Sequence, residues 1–197
     1  MSEDTPEIDD PELRWPQMGD RLFVESSWAY DAHVTGDPKE RFYRMPMGYK
    51  RAGDLLIDQA AADVVDRSNI IYAALFCYRQ SLELYLKQLI DEFGKEKKFS
   101  PKNTHDLNRL WERFVCIANE RGGCESIGFA EAQKLIGEMH DFDQKSDGFR
   151  FPDNGQGEPF FSNEKSIDLN NVRKVMRGLE NFFECFYLGW SNADYRP

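Results

Sequence analysis

Residues 69–93, NIIYAALFCYRQSLELYLKQLIDEF, carry apolar side chains around far more than half of a helical circumference. At roughly 3.6 residues per turn the stretch makes about seven turns of one helix. One apolar row runs through Ile71, Leu75, Tyr78, Leu82, Tyr85 and Leu89, and a second through Tyr72, Phe76, Leu86 and Ile90. A helix oily on so much of its surface belongs at the centre of a bundle. Arg79 and Glu83 interrupt the second row one turn apart, and Lys87 follows a turn later. Charges on such a helix are costly to bury unless paired. Either they reach a solvent edge as a ladder of i, i+4 pairs, or other parts of the chain bring partners to them.

The flanking sequence supplies helices to surround this one. Apolar residues at Ala52, Leu55, Leu56, Ala60, Val64 and Val65 predict a helix from Gly48 to about Arg67, antiparallel to the central one through a short connection, with TGDPKE at 35–40 as a turn. Asp66 or Ser68 is placed to cap the central helix, and Gly94 to end it. A third helix starts at Asn103 or Thr104, with Leu107, Leu110, Trp111, Phe114, Val115 and Ala118 on one face, and closes at Gly122. A fourth runs from about Phe129 to Gln144, and a last one from about Asp168 to Trp190. Between these two, SDGFRFPDNGQGEPFFSNEKS has no period. A structureless loop of that length is unusual inside a compact domain, and Phe149, Phe151, Phe160 and Phe161 are available to pack it down. With no convincing strand, the fold class is all-α: an antiparallel up-and-down bundle of four to five helices with a long irregular loop before the last.

A chain of 197 residues suits one domain with a tail. Residues 1–12 hold six of the negative charges, Glu3, Asp4, Glu7, Asp9, Asp10 and Glu12, and read as a disordered acidic tail. Residues 13–46 are rich in large aromatics, among them Trp15, Phe23, Trp28, Tyr30, Phe42 and Tyr43, and are expected to pack on the bundle of 47–191, with a short helix around 20–33. The net charge of −10 argues against a broad phosphate-tracking surface. Cys77, Cys116, Cys124 and Cys185 show no C-x-x-C pairing and suit reduced core thiols of a cytoplasmic protein. No basic-then-apolar leader or membrane-length apolar run is present, so no membrane partner is expected. His33, His105 and His140 stand alone without metal-ligand spacing, there is no Gly-rich phosphate loop, and neither metal nor cofactor is expected.

Two groups of residues remain as candidates for a site. One is Arg79, Glu83 and Lys87 on the central helix. The other is Asp143, Ser146, Phe149, Arg150, Phe151 and Pro152, where the proline holds Arg150 extended between aromatics and favours aiming it inward, at a carboxylate or a bound phosphate. Pinning of the loop to Asp143 or Glu83 by Arg150 is the structural alternative.

At these residues the chain resembles the HEPN superfamily. The resemblance rests on YRQSLELYLKQLI, the following THDLNRLW, the D-x-x-S-x-x-FR-[FY]-P stretch at Asp143 to Pro152, and GYKRAGDLL at Gly48 to Leu56, and it spans roughly Met47 to Tyr187. It implies a four-helix up-and-down core, frequent homodimerisation, and roles in nucleotide or RNA transactions, often in bacterial defence or toxin–antitoxin systems. Active HEPN ribonucleases carry R-x(4–6)-H on one helix. The positions that would need the arginine read Lys98, Phe99 and Ser100 before His105, Gln133, Lys134 and Leu135 before His140, and Ser26, Ser27 and Trp28 before His33. The motif is missing, so ribonuclease activity does not carry over.

The expected site is the place where Glu83, His105, Asp143, Ser146 and Arg150 converge, with Arg79 at its edge, binding a nucleotide, RNA or a protein partner. An enzymatic use of the same residues would take His105 as general acid or base and Arg150 to stabilise a pentacovalent phosphate. A purely structural use would have the polar cluster hold the loop, with aromatic faces of the first and last helices forming a homodimer.

Overall fold

The computed structural model describes residues 15–23, 32–94, 104–161, 163 and 166–194. The chain divides into two units, Met1–Thr35 and Gly36–Pro197. In the first, a turn is closed by the Gln17 amide donating to Asp20 Oδ2 (2.8 Å) and the Asp20 amide donating to the Gln17 carbonyl. Trp15, Leu22 and Phe23 are exposed. Most of the helix expected over 20–33, with Trp28 and Tyr30, and the acidic tail of 1–12 lie outside the described residues.

The second unit is all-helical among the described residues: α1 (Pro38–Ala62), α2 (Arg67–Phe93), α3 (Leu107–Arg121), α4 (Phe129–Phe142) and α5 (Leu169–Asp194). No strand is formed there; one isolated bridge, Asp153 with Pro159, pinches the loop before α5. The helix ends follow local chemistry. Asp37 Oδ1 accepts the Lys39 amide (2.9 Å) and Pro38 takes the first turn, where its missing N–H costs nothing. That cap starts α1 ten residues before Gly48, so the expected turn at 35–40 is a helix start, and Phe42 and Tyr43 belong to the bundle's first helix. Pro46 sits inside α1; it is buried, and the Ser81 hydroxyl donates to its carbonyl (2.9 Å), tying α1 to α2. Asp106, rather than Asn103 or Thr104, caps α3 by accepting the Arg109 amide (3.0 Å), and Asp168 caps α5 through the Asn170 and Asn171 amides.

The central position expected for α2 is observed. It packs on α1 over the greatest length and also on α3 and α5, and every residue from 81 to 90 is buried. Around it, Trp111, Phe114, Phe129, Phe182, Phe186 and Trp190 form one aromatic cluster with neighbouring ring centroids 4.9–6.1 Å apart. The loop is anchored by Phe149 and Phe161 on Phe142, at 5.6 and 5.1 Å, whereas Phe151 stays exposed. The four cysteines are unpaired thiols. Cys116 and Cys185 are exposed, not core as their apolar neighbours suggested, because each falls on the wet side of its helix. Among the described residues no helix is long and apolar enough to cross a membrane.

Gly53 of α1 sits tight against α2: an added Cβ would lie 2.6 Å from two ring carbons of Tyr78. That ring is fully buried and its hydroxyl donates to Asp54 Oδ1 (2.8 Å), so it has no room to give way. Gly53→Ala is expected to lower unfolding free energy by about 1–3 kcal/mol despite the better helix propensity of alanine, measured by urea denaturation.

Candidate functional site

The stripe of α2 that carries Arg79, Glu83 and Lys87 faces inward. Arg79 is 0 % and Glu83 1 % exposed, so a solvent-edge ladder is not what these residues form. Partners come from elsewhere in the chain. Arg79 Nε donates to the Asp143 carbonyl (2.9 Å), one terminal nitrogen to Glu83 Oε2 (3.0 Å), and the other to the His105 carbonyl (2.6 Å). One guanidinium thereby holds the end of α4, the approach to α3 and its own helix. Glu83 Oε1 accepts from Lys87 Nζ (2.7 Å) and faces His105 Nδ1 (2.9 Å). Burial opposes ionisation of Glu83, but the hydrogen bond and charge of Lys87, with help from His105 and Arg79, hold its carboxyl below the usual range.

Asp143 organises the loop from its other side. Its Oδ1 accepts the Asp147 and Gly148 amides (3.0 and 3.1 Å), while Oδ2, buried and without a hydrogen-bond partner among the described residues, lies 3.5 Å from Arg79 Nε. Ser146 is buried at the turn with φ 65°, a left-handed conformation that serine adopts only under constraint.

Arg150 differs from the expectation. Its side chain is 42 % exposed, and it points away from Glu83 and Asp143: Nε donates to the Ser146 carbonyl (2.5 Å) and a terminal nitrogen to Asp147 Oδ1 (2.6 Å). Its guanidinium lies over Phe151 and Phe76, 5.2 and 5.9 Å from their centroids. The inward arginine is Arg79, which donates to Glu83 Oε2 and lies 3.5 Å from the Asp143 carboxylate. Of the expected site, the structure brings together Arg79, Glu83, His105 and Asp143; Ser146 stands at the turn, and Arg150 one step outside.

Two features face solvent. The first is the His105 side chain, 60 % exposed although Nδ1 is held by a buried carboxylate. The second is a cleft of about 420 Å³ between the start of α2, the loop and the start of α5. Tyr72, Phe149 and Phe161 supply aromatic surface, and Ser68, Asn163 and Ser166 polar groups. Arg67 lies at its edge, its guanidinium bound to the Ala60 and Ala61 carbonyls. The helical periodicity puts Tyr72 in an apolar row; it is half exposed and lines this cleft. Asn163 and Ser166 sit in a stretch with no period, where only a three-dimensional arrangement could single them out. A larger hollow, about 660 Å³ between α4, α5 and residues 122–128, is lined mainly by apolar groups and lies away from this polar cluster.

Among the described residues no group of three or more histidine, cysteine, aspartate or glutamate side chains is arranged to hold a metal ion. Fold and site together define a helical bundle with a closed internal ion cluster beside an open aromatic cleft. Family models, curated proteins and solved structures yield no match to this chain.

The two arginines should separate cleanly in equilibrium unfolding. Arg79→Ala leaves the buried Asp143 without its cation, removes one of the cations on Glu83 and orphans two carbonyls, and is expected to cost about 3–5 kcal/mol, while Arg150→Ala, at an exposed pair, costs about 1 kcal/mol or less. For Glu83 the folded-state pKa is depressed, so its contribution is complete above the ordinary carboxylate value of about 4.3 and is lost as pH falls through the lower folded value. Unfolding free energy measured from about pH 5 down to pH 2 should therefore fall less steeply in Glu83→Gln than in the parent chain.

Proposed function

We propose that this chain is a HEPN-like helical module, lacking the R-x(4–6)-H pair, that binds a nucleotide or an RNA end in the cleft between the start of α2 and the loop before α5. The observation that carries this reading is the cleft's lining. A volume of about 420 Å³ falls in the small-ligand range, and aromatic faces with a few convergent polar groups are what base recognition uses. Tyr72 and Phe161 offer planes for a base; Ser68, Asn163 and Ser166 offer donors and acceptors for its edge. The N-terminal end of α2, which starts without a side-chain cap, supplies partial positive charge for a phosphate. The acidic balance of the chain favours a compact ligand over a long polyanion. In this reading the Arg79–Glu83–Asp143 cluster does not touch the ligand; it fixes the loop that forms the cleft wall. The free thiols are in keeping with a cytoplasmic setting, and the resemblance with a defence or toxin-associated role.

One observation favours an enzymatic reading as the alternative. His105 has Nδ1 on a buried carboxylate and its ring open to solvent, the arrangement by which a carboxylate orients an imidazole for proton transfer.

Calorimetric titration of the full chain with AMP, ATP and a short RNA separates these outcomes. Saturable binding that weakens about tenfold or more in Tyr72→Ala and in Phe161→Ala is expected. No saturable binding, or binding indifferent to both substitutions, overturns the proposal. Incubation with labelled RNA is expected to leave it intact; cleavage that disappears in His105→Ala would establish the enzyme instead.

A further inference from the structure

The cleft between the start of α2 and the loop has a neighbour. A smaller hollow of about 210 Å³ lies between α2, α4 and α5, and Leu75, Phe142, Phe149 and Ile167 line both spaces. Their characters differ. The cleft sets Ser68, Asn163 and Ser166 beside its aromatic faces, whereas the hollow is walled by leucine, methionine and valine, with Glu138 and Asn171 as the polar lining residues among those described. Its lining takes in the buried Leu82, Met176 and Leu179 together with the half-buried Met139, Val172 and Val175, so it runs from the surface to the core.

The hollow follows from how the helices pair. α4 packs mainly on α3, and α5 on α1 and α2, which leaves the seam between α4 and α5 open. That seam continues past Leu135, Val175 and Leu179, which also line the larger hollow of about 660 Å³. Protein interiors close such space where side chains reach, and apolar space that stays open takes up an apolar guest in preference to water. The shape of the space selects among guests. A helix, about 10 Å across with its side chains, is too thick for a hollow of about 210 Å³. A charged group would lose its water against leucine and methionine and gain no partner there. A hydrocarbon chain fits, and Met139 and Met176 are side chains that adapt to one. What the chain is attached to is decided by the neighbouring cleft, since a polar head joined to it comes to lie among Ser68, Asn163 and the aromatic faces.

We propose that the ligand of this protein is an acylated nucleotide of the acyl-adenylate class, with its nucleotide in the cleft and its aliphatic acyl chain in the hollow between α2, α4 and α5. This rests on the nucleotide reading of the cleft and adds the chain to it. Phe142 and Phe149 stand at the junction of the two parts, and a chain longer than the hollow extends along the seam toward Leu135 and Leu179.

The test is calorimetric titration of the full chain with AMP, with octanoate, and with non-hydrolysable acyl-sulfamoyl adenosines carrying acetyl, butyryl and octanoyl chains. Affinity is expected to rise about threefold per added methylene, which makes the octanoyl compound about a hundredfold or more tighter than the acetyl one. Val172→Phe fills the hollow from a half-buried position, and Met139→Lys puts a charge on its wall. Each should cut the octanoyl-to-acetyl affinity ratio about tenfold or more. Saturable binding of AMP with equal affinities for the acetyl, butyryl and octanoyl compounds would overturn the acyl chain and leave the nucleotide reading standing. Failure of AMP and of every acyl compound to bind would overturn both. Octanoate binding as tightly as the octanoyl adenosine would mean a lipid site with no nucleotide attached and overturn the proposal, as would a chain-length gain that survives both substitutions.

Discussion

A single guanidinium, fully buried, sets what the rest of this bundle can do. Arg79 reaches from the central helix to the backbone at the end of α4, to the backbone before α3 and to Glu83 one turn on. Two of its three partners are carbonyls, so the charge fixes chain path and not merely a side-chain pair. Burying a charge costs several kcal/mol in effective desolvation, and only complete coordination offsets it. Here Glu83, with Lys87 and His105 on its other oxygen, completes the cluster. The consequence is that α2 cannot shift or rotate without breaking contacts to two loops at once.

That rigidity connects to function through the loop before α5. Asp143 is gripped by Arg79 through its carbonyl, and its carboxylate in turn binds the amides of Asp147 and Gly148. The turn so formed holds Ser146 in a left-handed conformation and sends Phe149 back onto Phe142. Phe149 and Phe161 then stand as a wall over the first turns of α2. A loop positioned by a rigid scaffold is where binding groups are commonly found. The ion cluster and the cleft are thus structural cause and exposed surface of one arrangement.

Much of the fold was legible because it is written in periodicity. The apolar rows of α2 marked it as central, and Leu107, Leu110 and Phe114 marked the face of α3 that packs against it. Where capping chemistry competed with composition, the reading slipped: Gly36, Asp37 and Pro38 look like a turn, yet Asp37 and Pro38 are an N-cap and a first-turn residue. The site was half legible. Arg79, Glu83, His105 and Asp143 could be nominated because charges in an oily row demand partners. The identity of the inward arginine could not, since Arg79 and Arg150 both had carboxylates within plausible reach and only the path of the loop decides between them. Asn163 and Ser166 left no one-dimensional trace, because each gains meaning from residues far away in the chain.

The central claim, that α2's buried charges are neutralised within the chain and through Arg79, is tested most directly by a double-mutant cycle. Unfolding free energies of the parent, Arg79→Met, Glu83→Met and the double variant, all from urea denaturation, give the coupling between the two charges. The account predicts that the double variant is more stable than the sum of single losses allows, by about 2 kcal/mol or more. Additivity to within about 0.5 kcal/mol would contradict it, since two charges that do not sense each other are not what holds this bundle's loops in place.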